Sequence, residues 1–198
     1  MPARVFSEDE KITIREKLLS VGFPMLKEYG MVHMSIPKIS QAAGIGTGTF
    51  YRFFKSKEEY IYQLIGYQRQ LLMTQYIPED VRAGKRKLNK EEVRGMIELI
   101  VDKDRSVYAN LSLSDENKLF DAIEGLTLDV EREKAKSQMY LSYIDNLKDE
   151  IDFTLVANLM KVLAITSQAR VELHPEGYDR TIAVIIDFIL EQIIDTFT

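Results

Sequence analysis

Residues 35–57 read SIPKISQAAGIGTGTFYRFFKSK and decide the fold of the N-terminal part of this 198-residue chain. Ser35 suits the N-cap of a short helix, and Pro37 is tolerated in that helix's first turn. Gly44-Ile45-Gly46 ends the helix, and a second helix is expected from Thr47 to Phe54. Two short helices joined by a glycine turn predict a helix-turn-helix, a unit whose second helix enters the major groove of DNA.

The two faces of the second helix differ in character. Its apolar face is expected to point into a small core through Phe50, Phe53 and Phe54, and its polar face to solvent through Thr47, Thr49 and Arg52. Residues at the start of a recognition helix and basic residues beside it typically meet bases or phosphates. The residues expected to bind DNA are Ser35, Gly46, Thr47, Gly48, Thr49, Tyr51, Arg52, Lys55 and Lys57.

The motif resembles the DNA-binding domain of the TetR family of bacterial transcriptional regulators. The resemblance covers residues 8–68 and is carried by Gly30, Ser35, Ile39, Ala43-Gly44-Ile45, Gly48-Thr49, Tyr51, Phe54 and Ser56-Lys57-Glu58. It implies that Tyr51, Lys57 and Ser35 hold the DNA backbone. Gly46 replaces the usual Ser or Thr cap, and Arg52-Phe53 replaces a common aromatic and histidine pair, so this chain's readout surface differs from the usual one.

Charge and composition agree with an intracellular DNA-binding protein. Residues 1–57 carry nine Lys or Arg and five acidic residues, whereas the remainder carries seventeen and twenty-six, within a net charge of −5. The chain has no cysteine, which excludes disulfides and thiolate metal sites. The N-terminus has no apolar signal core, and the most apolar run, 182–190, is too short to span a bilayer. We therefore expect a soluble cytoplasmic protein.

The rest of the chain reads as a series of helices with no convincing strand pattern. Capping boxes at Ser7 and Ser56 predict one helix running to Gly30 with a kink at Pro24, and a long helix ending before Pro78. Further helices are expected over 90–110, from about 115, over 153–171 and over 178–197. The predicted fold is all-α, with a three-helix DNA-binding domain over 1–68 joined by the long helix to an effector-binding and dimerisation domain over 69–198.

The resemblance implies that the central helices enclose a small-molecule cavity and that the last two helices form a dimer interface. Aromatic and methionine side chains suit an apolar or aromatic effector with one or two polar groups. The pocket candidates are Tyr67, Tyr76, Tyr108, Phe120, Met139, Tyr140, Tyr143 and Phe153. The interface candidates are Leu155, Leu159, Val162, Leu163, Ile182, Ile185, Ile186, Ile189 and Ile193.

Other classes of function receive less support from the sequence. Gly44-Ile45-Gly46-Thr47-Gly48 follows a helix and lacks the Gly-Lys-Ser/Thr of a phosphate-binding loop, so it reads as a turn. His33 and His174 are too few and too distant for a metal site, and no catalytic spacing occurs. The sequence predicts a ligand-responsive repressor that acts as a homodimer on a palindromic operator, without cofactor, metal or catalysis. The alternative is a helical small-molecule-binding or enzymatic protein without sequence-specific DNA binding, and activation instead of repression stays open.

Overall fold

The structure is a computed structural model that describes residues 6–122 and 138–195. Within these stretches all regular structure is helical, apart from two isolated bridges that each join one pair of residues. The all-α class predicted from the sequence is confirmed. The described residues form two compact units, one of residues 6–68 with 114–122 and one of residues 69–113 with 138–195. The functions assigned above to domains 1–68 and 69–198 stay predictions.

The first unit begins with five helices, the last of which continues into the second unit. They are α1 (Glu8–Ser20), α2 (Gly22–His33), α3 (Ile36–Ala42), α4 (Thr47–Phe50) and α5 (Lys57–Tyr76). The remaining helices are α6 (Glu79–Arg82), α7 (Lys90–Glu98), α8 (Leu113–Ala122), the helical residues 138–142 as α9, α10 (Phe153–Gln168) and α11 (Pro175–Ile193), with short 3-10 turns at Tyr108–Asn110 and Arg170–Glu172.

Side-chain caps set the starts of four helices, and α10 is the one capped by Asp152. Ser7 and Glu10 form the predicted capping box of α1, and Asn89 and Glu92 form one at α7. At α5 the Ser56 hydroxyl accepts from the Glu59 amide at 3.1 Å, but the Glu59 carboxylate accepts from the amide of Lys55 at 2.7 Å. The predicted capping box at Ser56 is therefore only half formed, because the Glu59 carboxylate accepts from the amide of Lys55 and not from that of Ser56.

The first predicted helix is divided in two at Val21, one turn before Pro24. Pro24 has no amide hydrogen to donate, so a continuous helix would leave the Ser20 carbonyl without its usual partner. Starting α2 at Gly22 places Pro24 in a first turn, where amides have no intrahelical acceptor. Gly30 has a φ of 67° and interrupts α2, as the sequence predicted for the end of that helix.

The core of the first unit is built around an aromatic cluster. The Phe50, Phe54 and Tyr60 rings lie 5.0–5.4 Å apart and are almost fully buried, with Leu18 and Ile39 among the buried aliphatic residues. The Tyr60 hydroxyl donates to the Leu18 carbonyl at 2.7 Å, and burial raises the pKa of this phenol. These contacts fix α4 and α5 relative to α1, and so hold the second helix of the motif in place.

The second unit packs around α11. This helix contacts α10 and α7, and its buried face carries Ile182, Ile186, Ile189 and Leu190. Residues 143–148 are hydrogen-bonded to the segment before α7 and to the end of α11. The Leu88 amide donates to the carbonyl of residue 143 at 2.6 Å, and the amide of residue 148 donates to the carbonyl of Ile193 at 3.0 Å.

The α7 and α4 helices end well before their predicted ends because tighter turns follow them. The α7 helix stops at Glu98 and does not reach residue 110, since the amides of Ile100 and Val101 donate to the carbonyls three residues earlier. The α4 helix stops at Phe50, and the amides of Arg52 and Phe53 donate to the carbonyls three residues earlier in a tighter turn.

Candidate nucleic-acid interface

The turn between α3 and α4 is fixed by a helix-terminating glycine. Gly44 has a φ of 66°, a left-handed conformation that glycine adopts without steric cost. Its amide donates to the Gln41 carbonyl at 3.0 Å, and the Ile45 amide donates to the Ser40 carbonyl at 2.8 Å. This pair of bonds is a Schellman motif, which satisfies the last carbonyls of α3 and redirects the chain into α4. The predicted helix-turn-helix is present at these residues.

The faces of α4 largely follow the sequence prediction. Phe50 and Phe54 are buried, but Phe53 is only half-buried, because the chain leaves the helical path after Phe50 and no longer keeps that side chain on the core face. Of the outward residues, Thr47 and Arg52 are exposed and Thr49 is half-buried. The polar face therefore presents fewer side chains than a helix extending to Phe54 would.

All nine predicted DNA-binding residues lie between the start of α3 and the start of α5. Six are exposed: Gly46, Thr47, Gly48, Tyr51, Arg52 and Lys55. Three are half-buried: Ser35, Thr49 and Lys57. Ser35 occupies the N-cap position of α3, but its hydroxyl makes no capping hydrogen bond to the described backbone of that helix. That these residues bind DNA stays a prediction.

Lys57 has a structural partner that its sequence position does not reveal. Its ammonium donates to the Met31 carbonyl at 3.0 Å, 26 residues earlier in the chain. The bond ties the first turn of α5 to the segment that follows Gly30. An ammonium carries three donors, so this bond leaves Lys57 able to make further contacts.

Two of the cations within residues 29–57 lie against aromatic rings. The Arg52 guanidinium lies 4.6 Å from the centre of the Phe6 ring, and the Lys38 ammonium lies 4.3 Å from the centre of the Tyr29 ring. Such stacking orients a cation without neutralising it. Sequence reasoning did not include Lys38 among the site residues, although its position one residue after Pro37 places it in the first turn of α3.

The sequence around the motif is free of negative charge. Residues 29–57 contain no Asp or Glu, whereas they contain Lys38, Arg52, Lys55 and Lys57. The helix-turn-helix thus offers an exposed surface with cations on the elements that flank α4. Such a surface attracts the phosphate backbone of DNA and disfavours acidic partners.

The eight predicted pocket residues do not share one environment. Tyr67 belongs to the first unit, and Met139 and Phe153 in the second are 45% and 56% exposed. Tyr140 and Tyr143 pack at the edge of the second unit's core. The side chain of Phe120 lies outside the described residues. That these residues line one effector pocket stays a prediction.

Tyr76 and Tyr108 make specific polar contacts. The Tyr76 hydroxyl donates to the Glu92 carbonyl at 2.6 Å, and burial and the charges of Glu92 and Glu98 raise the pKa of Tyr76. The Lys161 ammonium, 5.4 Å from the centre of the Tyr108 ring, donates to the Tyr108 hydroxyl at 3.4 Å. Tyr76 thus joins α5 to α7, and Tyr108 joins its 3-10 turn to α10.

The nine predicted interface residues divide between the core and the surface of the chain. The core of the second unit contains Leu163, Ile182, Ile186, Ile189 and Ile193. Four others are exposed or half-buried: Leu155, Leu159, Val162 and Ile185. Val184 and Phe188, which the prediction left out, are 58% and 46% exposed. Hydrophobic spacing found these helices but did not separate the face that packs inward from the face that remains outside.

Among residues 6–122 and 138–195, no group of three or more side chains is placed to hold a metal ion. The same parts of the chain contain no helix that is long and apolar enough to cross a membrane.

Comparisons with known proteins found a family match for part of the first unit and solved structures that are similar over most of the chain. Residues 18–61 match the family model of bacterial regulatory proteins, tetR family. A TetR family transcription regulator from Marinobacter aquaeolei VT8 is 18% identical over 96% of this chain and 100% of its own, with a TM-score of 0.54. The ketosteroid transcriptional regulator KstR2 of Mycobacterium tuberculosis is 20% identical over 97% of both chains, with a TM-score of 0.45. No curated protein matches the chain.

Proposed function

We propose that this chain is a transcription regulator of the TetR family, that it binds a palindromic DNA operator as a homodimer, and that it releases the operator when a small-molecule effector binds to the second unit. The observation that carries the proposal is the helix-turn-helix of α3 and α4, with its Schellman turn and its exposed residues in a stretch of sequence without acidic residues. A helix-turn-helix dimer reads two half-sites one helical turn apart, about 34–36 Å, which explains why a palindromic site is expected.

The direct test is a mobility-shift titration against the DNA upstream of the chain's own gene, with excess nonspecific DNA as competitor. We expect a discrete complex that survives the competitor, because base contacts discriminate between sequences while phosphate contacts do not. Binding that the competitor removes completely would favour the alternative, a helical small-molecule-binding or enzymatic protein. A reporter gene behind the same DNA then separates repression, in which deleting the regulator raises expression, from activation, in which deletion lowers it.

Two side chains test the division between base reading and phosphate binding. Arg52→Ala is expected to cost about 1–3 kcal/mol and to change base preference if the guanidinium makes a bidentate base contact. Lys57→Ala is expected to weaken binding to all sequences similarly and to flatten the salt dependence. Because Lys57 also bonds to the Met31 carbonyl, the thermal unfolding of this variant must be measured beside its affinity. A change of base preference in Lys57→Ala with an unchanged salt slope would contradict this division.

The dimer is proposed to form through the apolar surface that α10 and α11 leave exposed. On α10, Leu155, Leu159 and Val162 follow one another at intervals of four and three residues, and Val184 and Phe188 are spaced by one turn on α11. Leu155, Val162, Val184 and Phe188 are 36–58% exposed, so covering each contributes roughly half of the about 1.5–3 kcal/mol that full burial gives. A two-fold pairing would use this surface on both protomers and would therefore close.

A matched pair of valines tests this surface. Val184 is 58% exposed on α11, and Val171 is 92% exposed in the 3-10 turn between α10 and α11. We expect Val184→Glu to give a monomer with unchanged helix content in light scattering and circular dichroism, because it buries a charge in the interface. Val171→Glu should remain dimeric. A monomeric wild-type protein at micromolar concentration, or a dimeric Val184→Glu variant, would contradict the proposed interface.

The effector site is proposed to lie in the second unit, with Tyr108 and Lys161 as its polar groups. Both side chains are half-buried, and they contact each other beside an apolar core. An apolar or aromatic ligand with one or two acceptor groups suits such surroundings. A compound library can be screened by thermal shift, since a ligand that binds the native state alone raises its stability. Tyr108→Phe should reduce the shift given by any true effector, whereas an equal shift would place the site elsewhere.

A further inference from the structure

The exposed face of α11 carries charges as well as apolar side chains. Arg180, Val184, Phe188 and Glu191 are all exposed. At about 100° per residue they fall within about 80° of one another around the helix axis, so they form one stripe, the α11 stripe. Along the helix the stripe reads as a cation, two apolar side chains and an anion. It lies on the side of α11 opposite the buried isoleucines.

The two charges of the α11 stripe are not neutralised within the described part of the chain. Neither the Arg180 side chain nor the Glu191 side chain forms an ion pair or a hydrogen bond with residues 6–122 or 138–195. Asp187, which lies between them, differs because its carboxylate accepts from the Arg94 guanidinium of α7. The middle of the exposed face is thus neutralised by the chain itself, whereas its two ends carry opposite charges.

A second copy of α11, antiparallel to the first, would complement these charges. When a two-fold axis relates two antiparallel helices, positions at equal distances on either side of the axis face each other. The midpoint of Arg180 and Glu191 lies within about half a residue, or roughly 1 Å, of the midpoint of Val184 and Phe188. The axis that packs Val184 against the partner's Phe188 therefore also places Arg180 opposite the partner's Glu191. A parallel pair would place each charge opposite its own copy, which repels.

The exposed face of α10 has no charges that would serve instead. Within Phe153–Gln168 the sole charged residue is Lys161, which is half-buried and donates to the Tyr108 hydroxyl. A neighbouring α10 therefore adds apolar area to an interface, but it offers no carboxylate to Arg180 and no exposed cation to Glu191. Charge complementarity favours α11 of a second copy as the occupant of the stripe.

We propose that α11 selects the partner of this chain by pairing antiparallel with α11 of a second copy. The contact between Arg180 and the partner's Glu191 forms twice across the two-fold axis and fixes the register. The inference rests on the proposed function and deepens it, because it names the side chains by which the homodimer recognises its own sequence. Charges that flank an apolar seam set orientation and partner choice in the same way in coiled coils.

Charge exchange between two variants tests the pairing. Arg180→Glu places two carboxylates opposite each other twice in each dimer, and Glu191→Arg does the same with guanidinium groups. Each variant alone should therefore dimerise about tenfold or more weakly than the wild-type protein in analytical ultracentrifugation at low salt. An equimolar mixture of the two restores both opposite-charge contacts, so it should form a heterodimer about as tightly as the wild-type protein forms its homodimer. The differences should shrink at high salt, because ions screen exposed charges.

Asp179→Arg is the matched control. Asp179 is exposed on the same helix and precedes Arg180 in sequence, but it lies about 100° away from Arg180 around the axis, outside the α11 stripe. Reversing its charge should leave dimerisation unchanged. All three variants should show the helix content of the wild-type protein in circular dichroism, because the substituted side chains are exposed.

Each contrary result has a distinct meaning. Dimerisation of both single variants at the wild-type strength would overturn this inference alone and leave the proposed homodimer standing. Weakened single variants whose mixture stays monomeric would refute the register. An equal loss in Asp179→Arg would assign the effect to net charge and overturn the inference as well. A wild-type protein that is monomeric at micromolar concentration would overturn the proposed homodimer, and this inference with it.

Discussion

The contact between Tyr76 and Gly95 leads to a prediction about stability. Gly95→Ala should lower the free energy of unfolding in the wild-type protein but not in a Tyr76→Phe variant, which lacks the hydroxyl oxygen. The Tyr76 hydroxyl donates to the Glu92 carbonyl, and a Cβ on Gly95 would collide with the same hydroxyl oxygen. The next atom of the ring, Cζ, would lie 3.2 Å from that Cβ. Gly95 thus provides the space that brings the tyrosine hydroxyl onto the backbone of α7.

The magnitudes follow from this geometry. Gly95→Ala gains about 1 kcal/mol of helix propensity, but it loses about 1–3 kcal/mol to overpacking and about 1 kcal/mol with the hydrogen bond. We expect a net loss of about 1–3 kcal/mol in the free energy of unfolding. Tyr76→Phe alone should cost about 0.5–1.5 kcal/mol. When Gly95→Ala is added to the Tyr76→Phe variant, it should be neutral or stabilising by up to about 1 kcal/mol, because the colliding oxygen is absent.

Urea denaturation of the wild-type protein, the two single variants and the double variant completes a mutant cycle. The expected coupling energy is about 1–3 kcal/mol, in the range found for residues in direct contact. If Gly95→Ala destabilises the protein equally in both backgrounds, the hydroxyl is not what excludes the methyl group and the reasoning fails. A confirmed coupling would identify Tyr76 as a residue that joins α5 to α7.

Three further results are expected. Asn89→Ala should lower stability by about 1 kcal/mol in urea denaturation, because the amide of Glu92 loses its cap. Hydrogen bonds from Arg86 lower the pKa values of Asp80 and Glu92 in the folded chain. The stability that these two ionised carboxylates add is therefore complete above their ordinary pKa values of 3.8 and 4.5 and is lost as the pH falls below them. Because Arg86→Ala removes this contribution, the variant should lose less stability than the wild-type protein between about pH 6 and pH 3. If the chain is a dimer, its thermal midpoint should rise with protein concentration, and a constant midpoint would contradict dimerisation.

Local signals explain why much of the first unit could be predicted. The capping box at Ser7 and the helix-ending glycines at Gly30 and Gly44 each act within four or five residues. Their hydrogen bonds are therefore visible in sequence spacing. The break at Val21 was displaced from the expected kink at Pro24 because a proline can be accommodated either within a bent helix or in the first turn of a new one.

Long-range contacts explain what could not be predicted. The bonds of Lys57 to the Met31 carbonyl and of Tyr76 to the Glu92 carbonyl join residues 26 and 16 positions apart. Residues 182–190 of α11 are apolar except for Asp187, so spacing alone could not show that Ile189 packs inward while Val184 stays exposed. The contacts with α7 and α10 decide which face of α11 is buried, and sequence spacing does not contain these contacts.

The central claim, that the helix-turn-helix binds DNA in a sequence-specific manner, is tested most directly by selection from a pool of random duplexes. The full chain is incubated with the pool at physiological salt, and the bound duplexes are sequenced after several rounds. The account predicts enrichment of an inverted repeat whose half-site centres lie about 10 base pairs, or a multiple of that spacing, apart. Bound duplexes with no sequence in common, at the affinity of nonspecific DNA, would contradict it.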